Sequence, residues 1–111
     1  MSPAQSSAAK RRKALARYEE ALAAFGRWDM EDAVKGLEET VALAPDNASY
    51  HMSLAQVLSR SGDFDRALQS LANYLRLAPE SKVADRIEQL FASGMDAVEE
   101  HLTGQMTAAQ M

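Results

Sequence analysis

Residues 48–79, ASYHMSLAQVLSRSGDFDRALQSLANYLRLAP, carry the pattern that decides the fold of this chain. Apolar residues recur in it at steps of three and four, which is the periodicity of amphipathic α-helices. Gly62 interrupts the pattern and can adopt positive φ, and Asp63 can cap a second helix. Pro79 ends that helix because proline lacks the N–H that would continue the hydrogen-bond ladder. The stretch therefore predicts two helices joined by a tight turn.

This two-helix unit occurs twice in the chain. One constant displacement superimposes positions of the second helix on identical residues earlier in the sequence: Ala33 and Ala67, Leu37 and Leu71, Leu43 and Leu77, Ala44 and Ala78, and Pro45 and Pro79. A fixed period of about 34 residues, with two helices per unit, is typical of helical repeat proteins.

The repeated positions resemble the tetratricopeptide repeat (TPR) family. The residues that fall at the family's consensus spacings are Leu54, Ala55, Leu58, Gly62, Ala67, Leu71, Tyr74 and Pro79, with His51 where tryptophan is commonest. The second unit matches well, and the first matches mainly in its second helix. The resemblance implies an all-α fold, a short right-handed TPR superhelix (α-solenoid) of helix-turn-helix repeats with five to six helices.

The same pattern predicts how the chain is divided. We expect flexible tails at residues 1–9 and 103–111 and a single domain at 10–102, with repeat one at about 14–45, repeat two at 48–79 and capping helices at about 81–102. The last capping helix is predicted from Met95, Val98 and Leu102, which follow the break at Ser93-Gly94.

The first helix of repeat one is harder to align. It should begin near Lys10, and its large apolar residues share one face: Leu15, Tyr18, Leu22 and Phe25. Gly26 parallels Gly62, but two more residues separate it from the alanine of the following helix, so the first turn is predicted to be longer. Either Ala21 or Glu19 then occupies the small position where the two helices touch.

Composition and charge restrict the class of protein. The chain has 111 residues, a formal net charge of −4 and no cysteine, so neither disulfides nor thiolate metal sites are possible. Five of the twelve basic residues and none of the sixteen acidic ones lie in residues 1–17, which leaves a net charge of −9 for residues 18–111. No stretch has the roughly 18 consecutive apolar residues of a membrane helix. We expect a cytoplasmic protein without membrane insertion.

No constellation for catalysis is visible in the sequence. The two histidines, His51 and His101, are distant in the chain, and no phosphate-binding glycine loop or nucleophile motif is present. We therefore expect no enzymatic activity, no cofactor and no metal.

The TPR resemblance implies a protein-interaction module whose first helices line a concave groove that holds a peptide segment or helix. The candidate partner-binding residues are Arg17, Met52, Gln56, Arg60 and Arg86. Arginine can bind a carboxylate, glutamine can bond a peptide backbone, and methionine gives adaptable apolar contact. One alternative is a structural or assembly subunit of a larger complex or homo-oligomer that uses its terminal or convex faces. A weaker alternative is nucleic-acid association through the basic run at residues 10–13, against which the acidic body argues.

Overall fold

The computed structural model describes the backbone of residues 3–93 and the side chains of residues 7–89. This part of the chain forms five α-helices: α1 (Pro3–Gly26), α2 (Met30–Leu43), α3 (Ala48–Arg60), α4 (Phe64–Leu77) and α5 (Lys82–Ser93). No strand occurs in residues 3–93, so the all-α prediction is confirmed there. The helix predicted from Met95 and the tail predicted from Thr103 lie outside the described residues.

The helices pack as two successive hairpins. α1 packs against α2, α3 packs against α4, and α2 contacts α3 to join the two pairs. One hydrophobic core includes residues of all five helices, and its largest fully buried apolar side chains are Leu37, Leu58, Leu71 and Ile87. None of the helices described is both long and apolar enough to cross a membrane.

The two hairpins are closed by matching caps. Asp29 and Asp63 precede α2 and α4 with φ/ψ of −85°/78° and −92°/74°, and each carboxylate accepts the N–H of the residue three positions later at 3.3 Å. Ala44 and Ala78 follow these helices with φ/ψ of −137°/69° and −133°/57°. An aspartate at this position satisfies N–H groups that the first helical turn leaves unpaired. The repetition in the sequence is therefore also a repetition of the backbone.

The turn between α1 and α2 differs from its prediction. Its left-handed residue is Trp28, with φ of 61°, and the left-handed residue of the second turn is Gly62, with φ of 90°. The interval from Trp28 to Gly62 equals that from Ala33 to Ala67, so the two turns have equal length and the prediction of two extra residues in the first is wrong. Gly26 is the last residue of α1 and does not mark the turn. A non-glycine residue in this region costs about 1 kcal/mol, which is why local residue preference does not indicate Trp28.

With equal turns, the alignment of α1 is settled. Ala21 is fully buried, whereas Glu19 is exposed, so of the two alternatives Ala21 is confirmed and Glu19 is wrong. Ala21 faces Gly36 of α2, where an added Cβ would lie only 2.7 Å from the Cβ of Ala21. The two helices therefore approach each other as closely as glycine and alanine allow.

The large apolar residues of α1 are not in the core. Leu15 and Leu22 are 50% and 40% exposed, and Tyr18 and Phe25 are half-buried at the edge of the core. The buried positions of this helix are instead Ala14, Ala21 and Ala24. Alanine permits the close contact with α2, and the neighbouring larger residues consequently remain outside it.

α1 also begins earlier than Lys10, the start predicted from the sequence. It starts at Pro3, because proline is tolerated in a first helical turn and the alanines that follow are strong helix formers. With 24 residues against the 14 of α2, it extends about ten residues, or roughly 15 Å, beyond its partner.

Candidate functional site

One face of α3 carries three of the residues predicted to bind a partner. Met52, Gln56 and Arg60 are spaced by four residues, which places them on the same side of the helix. All three are half-buried, and Met52 also packs against the core. The structure thus brings these three predicted residues together on one face.

Tyr18 connects α1 to this part of α3. Its hydroxyl lies 3.0 Å from the hydroxyl of Ser53, and its ring centroid lies 4.8 Å from that of Tyr50. Leu15 and Leu22 stand one turn before and one turn after Tyr18 on α1, so they lie on the same side. We call the combined area the α1–α3 surface, and its members are Leu15, Tyr18, Leu22, Met52, Gln56 and Arg60.

Trp28 holds the arginine at one end of this surface. The guanidinium carbon of Arg60 lies 4.9 Å from the centroid of the Trp28 ring, a distance at which a cation and an aromatic face attract. The Trp28 ring is itself 5.9 Å from the ring of Phe25 and is 52% exposed. Trp28 is absent from the residues predicted to bind a partner. Its position one repeat period before Gly62 is the sequence signal that places it at the matching point of the first turn.

Arg17 is engaged by carboxylates of α1 and α2. Its Nε donates to Glu39 of α2, and its Nη1 donates to Glu20 at 2.9 Å. The hydrogen bond to Glu39 is the main reason why the pKa of Arg17 is raised above its ordinary value. The side chain therefore already forms ion pairs with two acids, and its contact with a partner stays a prediction.

Arg86 lies on α5, apart from the α3 residues in the chain. It is exposed, as is its neighbour Val83, while Ala84 and Ile87 are buried. Ser81 fixes the start of this helix, because its Oγ accepts the N–H of Ala84 at 2.9 Å and lies 3.0 Å from the Tyr74 hydroxyl of α4. Arg86 is thus carried by a helix whose first turn is fastened to α4.

In the part of the chain that the structure describes, no group of three or more His, Asp or Glu side chains is placed to hold a metal ion. His51 is buried, and its Nε2–H donates to the carbonyl oxygen of Pro45 at 2.8 Å. This histidine therefore fastens the turn between α2 and α3.

Comparison of the chain with models of protein families, with curated proteins and with solved structures finds no match.

Proposed function

We propose that this chain is a short TPR-type right-handed α-solenoid that acts as a non-catalytic protein-interaction module. The repeat arrangement is supported by the two hairpins, whose caps and left-handed turn residues recur at one constant interval. The ligand would be an extended segment or a helix of a partner protein, held on the α1–α3 surface.

The exposure of Leu15 and Leu22 is the observation that carries this proposal. These leucines are among the few large apolar side chains of the described residues that remain well exposed, and they lie two turns apart on one helix. Burial of apolar area stabilises a complex by about 25 cal/mol per Å², so each can serve as an anchor point for a partner. Met52, on the α3 side of the surface, has a flexible side chain that adapts to different apolar groups.

Arg60 supplies a polar contact at the end of the same surface. Its contact with the Trp28 ring limits the positions that the guanidinium can take, so less side-chain entropy is lost when a ligand binds. A guanidinium binds a carboxylate through two parallel hydrogen bonds. We therefore expect preferred ligands to combine two apolar residues with an acidic residue.

A library of displayed peptides tests this proposal whatever the identity of the partner. Peptides enriched on the full chain are synthesised, and their dissociation constants are measured by fluorescence polarisation. The test variant is Leu15→Gln/Leu22→Gln, which changes exposed positions, and we expect at least about a tenfold loss of affinity. The control is Arg76→Glu, which changes a residue on the exposed side of α4.

Charge reversal provides the second arm of the test. Arg60→Glu and Arg76→Glu make the same change of charge, but only the first alters a residue of the α1–α3 surface. We expect Arg60→Glu to weaken binding and Arg76→Glu to leave it unchanged. If no peptide is enriched, or if the leucine variant binds as tightly as the wild type, the α1–α3 surface is not the binding site. Binding through terminal or convex faces, as in an assembly subunit, then becomes the better account.

A further inference from the structure

A concave feature adjoins the α1–α3 surface, because Tyr50, which lines it, contacts Tyr18. It is a cleft of about 620 Å³ between the N-terminal part of α1 and the turn that joins α2 to α3. One wall consists of Ser7, Lys10 and Arg11, and the other is formed by residues 43–48 together with Tyr50. The cleft exists because α1 continues beyond the end of α2.

The α1 wall of this cleft is strongly basic. Its Lys10 and Arg11 are exposed, as are Arg12 and Lys13 outside the lining, and within the described residues none of the four is in an ion pair. Arg11 donates to the hydroxyl of Ser7 at 3.1 Å, which holds a guanidinium at the cleft without neutralising it. Elsewhere the same helix does pair its charge, since Arg17 is met by two glutamates.

The opposite wall is largely apolar. Leu43, Pro45 and Tyr50 line it, and Asp46 is the acidic residue among the lining side chains. A nucleic-acid backbone would use the cations but would leave this apolar wall without a contact. The combination fits an amphipathic acidic peptide, whose apolar side chains enter the cleft while its carboxylates meet Lys10 and Arg11.

The chain itself contains such a peptide. Residues 94–111 include no lysine or arginine and carry three acids, Asp96, Glu99 and Glu100. Apolar residues stand among them at steps of three and four: Met95, Val98, Leu102 and Met106. The basic run and this acidic segment are therefore complementary in charge and in apolar content.

We propose that the cleft of one copy of the chain binds residues 94–111 of a second copy. The second copy is the source because α5 is joined to α4 through the Tyr74 and Ser81 hydroxyls, whereas α1 packs on α2 at the other end of the series in which α2 contacts α3 and α3 packs on α4. Contacts of this kind are head-to-tail, so they add copies in a row unless the row closes into a ring. This self-association uses residues separate from the α1–α3 surface and does not depend on the peptide binding proposed there.

Light scattering on the full chain over a range of concentrations tests the proposal. At about 50 mM salt the average mass should rise with concentration above the 12.1 kDa of one chain, and at about 0.5 M salt it should fall back. Lys10→Glu/Arg11→Glu should weaken the self-association constant by about tenfold or more. Arg12→Glu/Lys13→Glu makes the same change of charge outside the cleft lining, and it should retain most of the association. Circular dichroism establishes that each variant keeps its helix content.

A charge exchange makes the test specific for the two segments. Glu99→Lys/Glu100→Lys alone should abolish association, and its combination with Lys10→Glu/Arg11→Glu in one chain should restore it with the charges inverted. Restoration cannot arise from a fault in folding. The proposal is overturned if the wild-type chain stays a monomer at every concentration, if both pairs of basic substitutions weaken association equally, or if the exchanged chain fails to associate. None of these results bears on the binding of displayed peptides to the α1–α3 surface.

Discussion

Replacement of Gly36 by alanine tests the closest contact between α1 and α2. The new Cβ would lie 2.7 Å from the Cβ of Ala21, 3.3 Å from its Cα and 3.4 Å from Cζ of Arg17. Carbon atoms in contact prefer about 3.5–4.0 Å, so the first distance is strongly repulsive. Ala21 has no side-chain torsion that could relieve the contact, and the helices must therefore move apart.

Two opposing effects set the size of the change. In the interior of a helix, alanine is more favourable than glycine by about 1 kcal/mol. Forcing an additional carbon into a packed interface costs about 1–3 kcal/mol. Here the obstacle is the Cβ of Ala21, which cannot move unless its backbone moves. We expect the interface cost to exceed the helical gain, so that Gly36→Ala lowers the free energy of unfolding by about 1 kcal/mol. For a chain of this length that corresponds to a fall in Tm of about 4–8 °C.

Urea and thermal unfolding followed by circular dichroism measure this change, and two variants serve as controls. Gly26→Ala makes the same substitution at the end of α1, where nothing lies within 4 Å of the added Cβ, and it should be neutral or slightly stabilising. Ala21→Gly introduced together with Gly36→Ala removes the 2.7 Å contact, so a double-mutant cycle should show favourable coupling. If Gly36→Ala raises Tm, or if the cycle shows no coupling, the helices do not approach at these residues.

Two further predictions concern α3. Ser59→Ala should raise the free energy of unfolding, measured in urea, by about 1 kcal/mol, because the Ser59 hydroxyl is buried without a hydrogen-bond partner and alanine is the better helix former. A loss of stability would show that the hydroxyl is hydrogen-bonded in solution. Arg60→Gln should change the fluorescence of Trp28, which is the single tryptophan of the chain. A double-mutant cycle of Arg60→Gln and Trp28→Gly should show a coupling of about 0.5–1 kcal/mol. An unchanged spectrum with zero coupling would contradict the contact between the two residues.

The second hairpin could be predicted almost entirely from the sequence. The apolar residues that recur along α4 at helical spacing are buried or packed against the core: Ala67, Leu68, Leu71, Tyr74, Leu75 and Ala78. Asp63 caps the helix and Gly62 takes the positive φ, as their residue types predict. In this hairpin the local preferences and the tertiary packing agree, and sequence reasoning succeeds when they do.

The first hairpin could not be predicted as well, for two physical reasons. Local preference places glycine, not tryptophan, at a left-handed position, so Trp28 in that role depends on contacts made after folding, with Phe25 and Arg60. Hydrophobic periodicity also favours the face of α1 with the larger residues. It cannot show that a glycine on another helix, Gly36, makes the neighbouring alanine face the better one for close packing.

The small residues at the contact between α1 and α2 also explain why the leucines of the α1–α3 surface are exposed. Contacts of α1 with α2 are made through Ala21 and Gly36, so the core does not require Leu15 or Leu22. Apolar residues that remain exposed beside a packed interface add little to the stability of the isolated chain, yet they contribute fully when a partner covers them. If the α1–α3 surface binds a partner as proposed, folding and recognition use adjacent faces of one helix, and substitutions on the two faces should separate them. Changes at Gly36 should alter stability, whereas changes at Leu15 and Leu22 should alter binding.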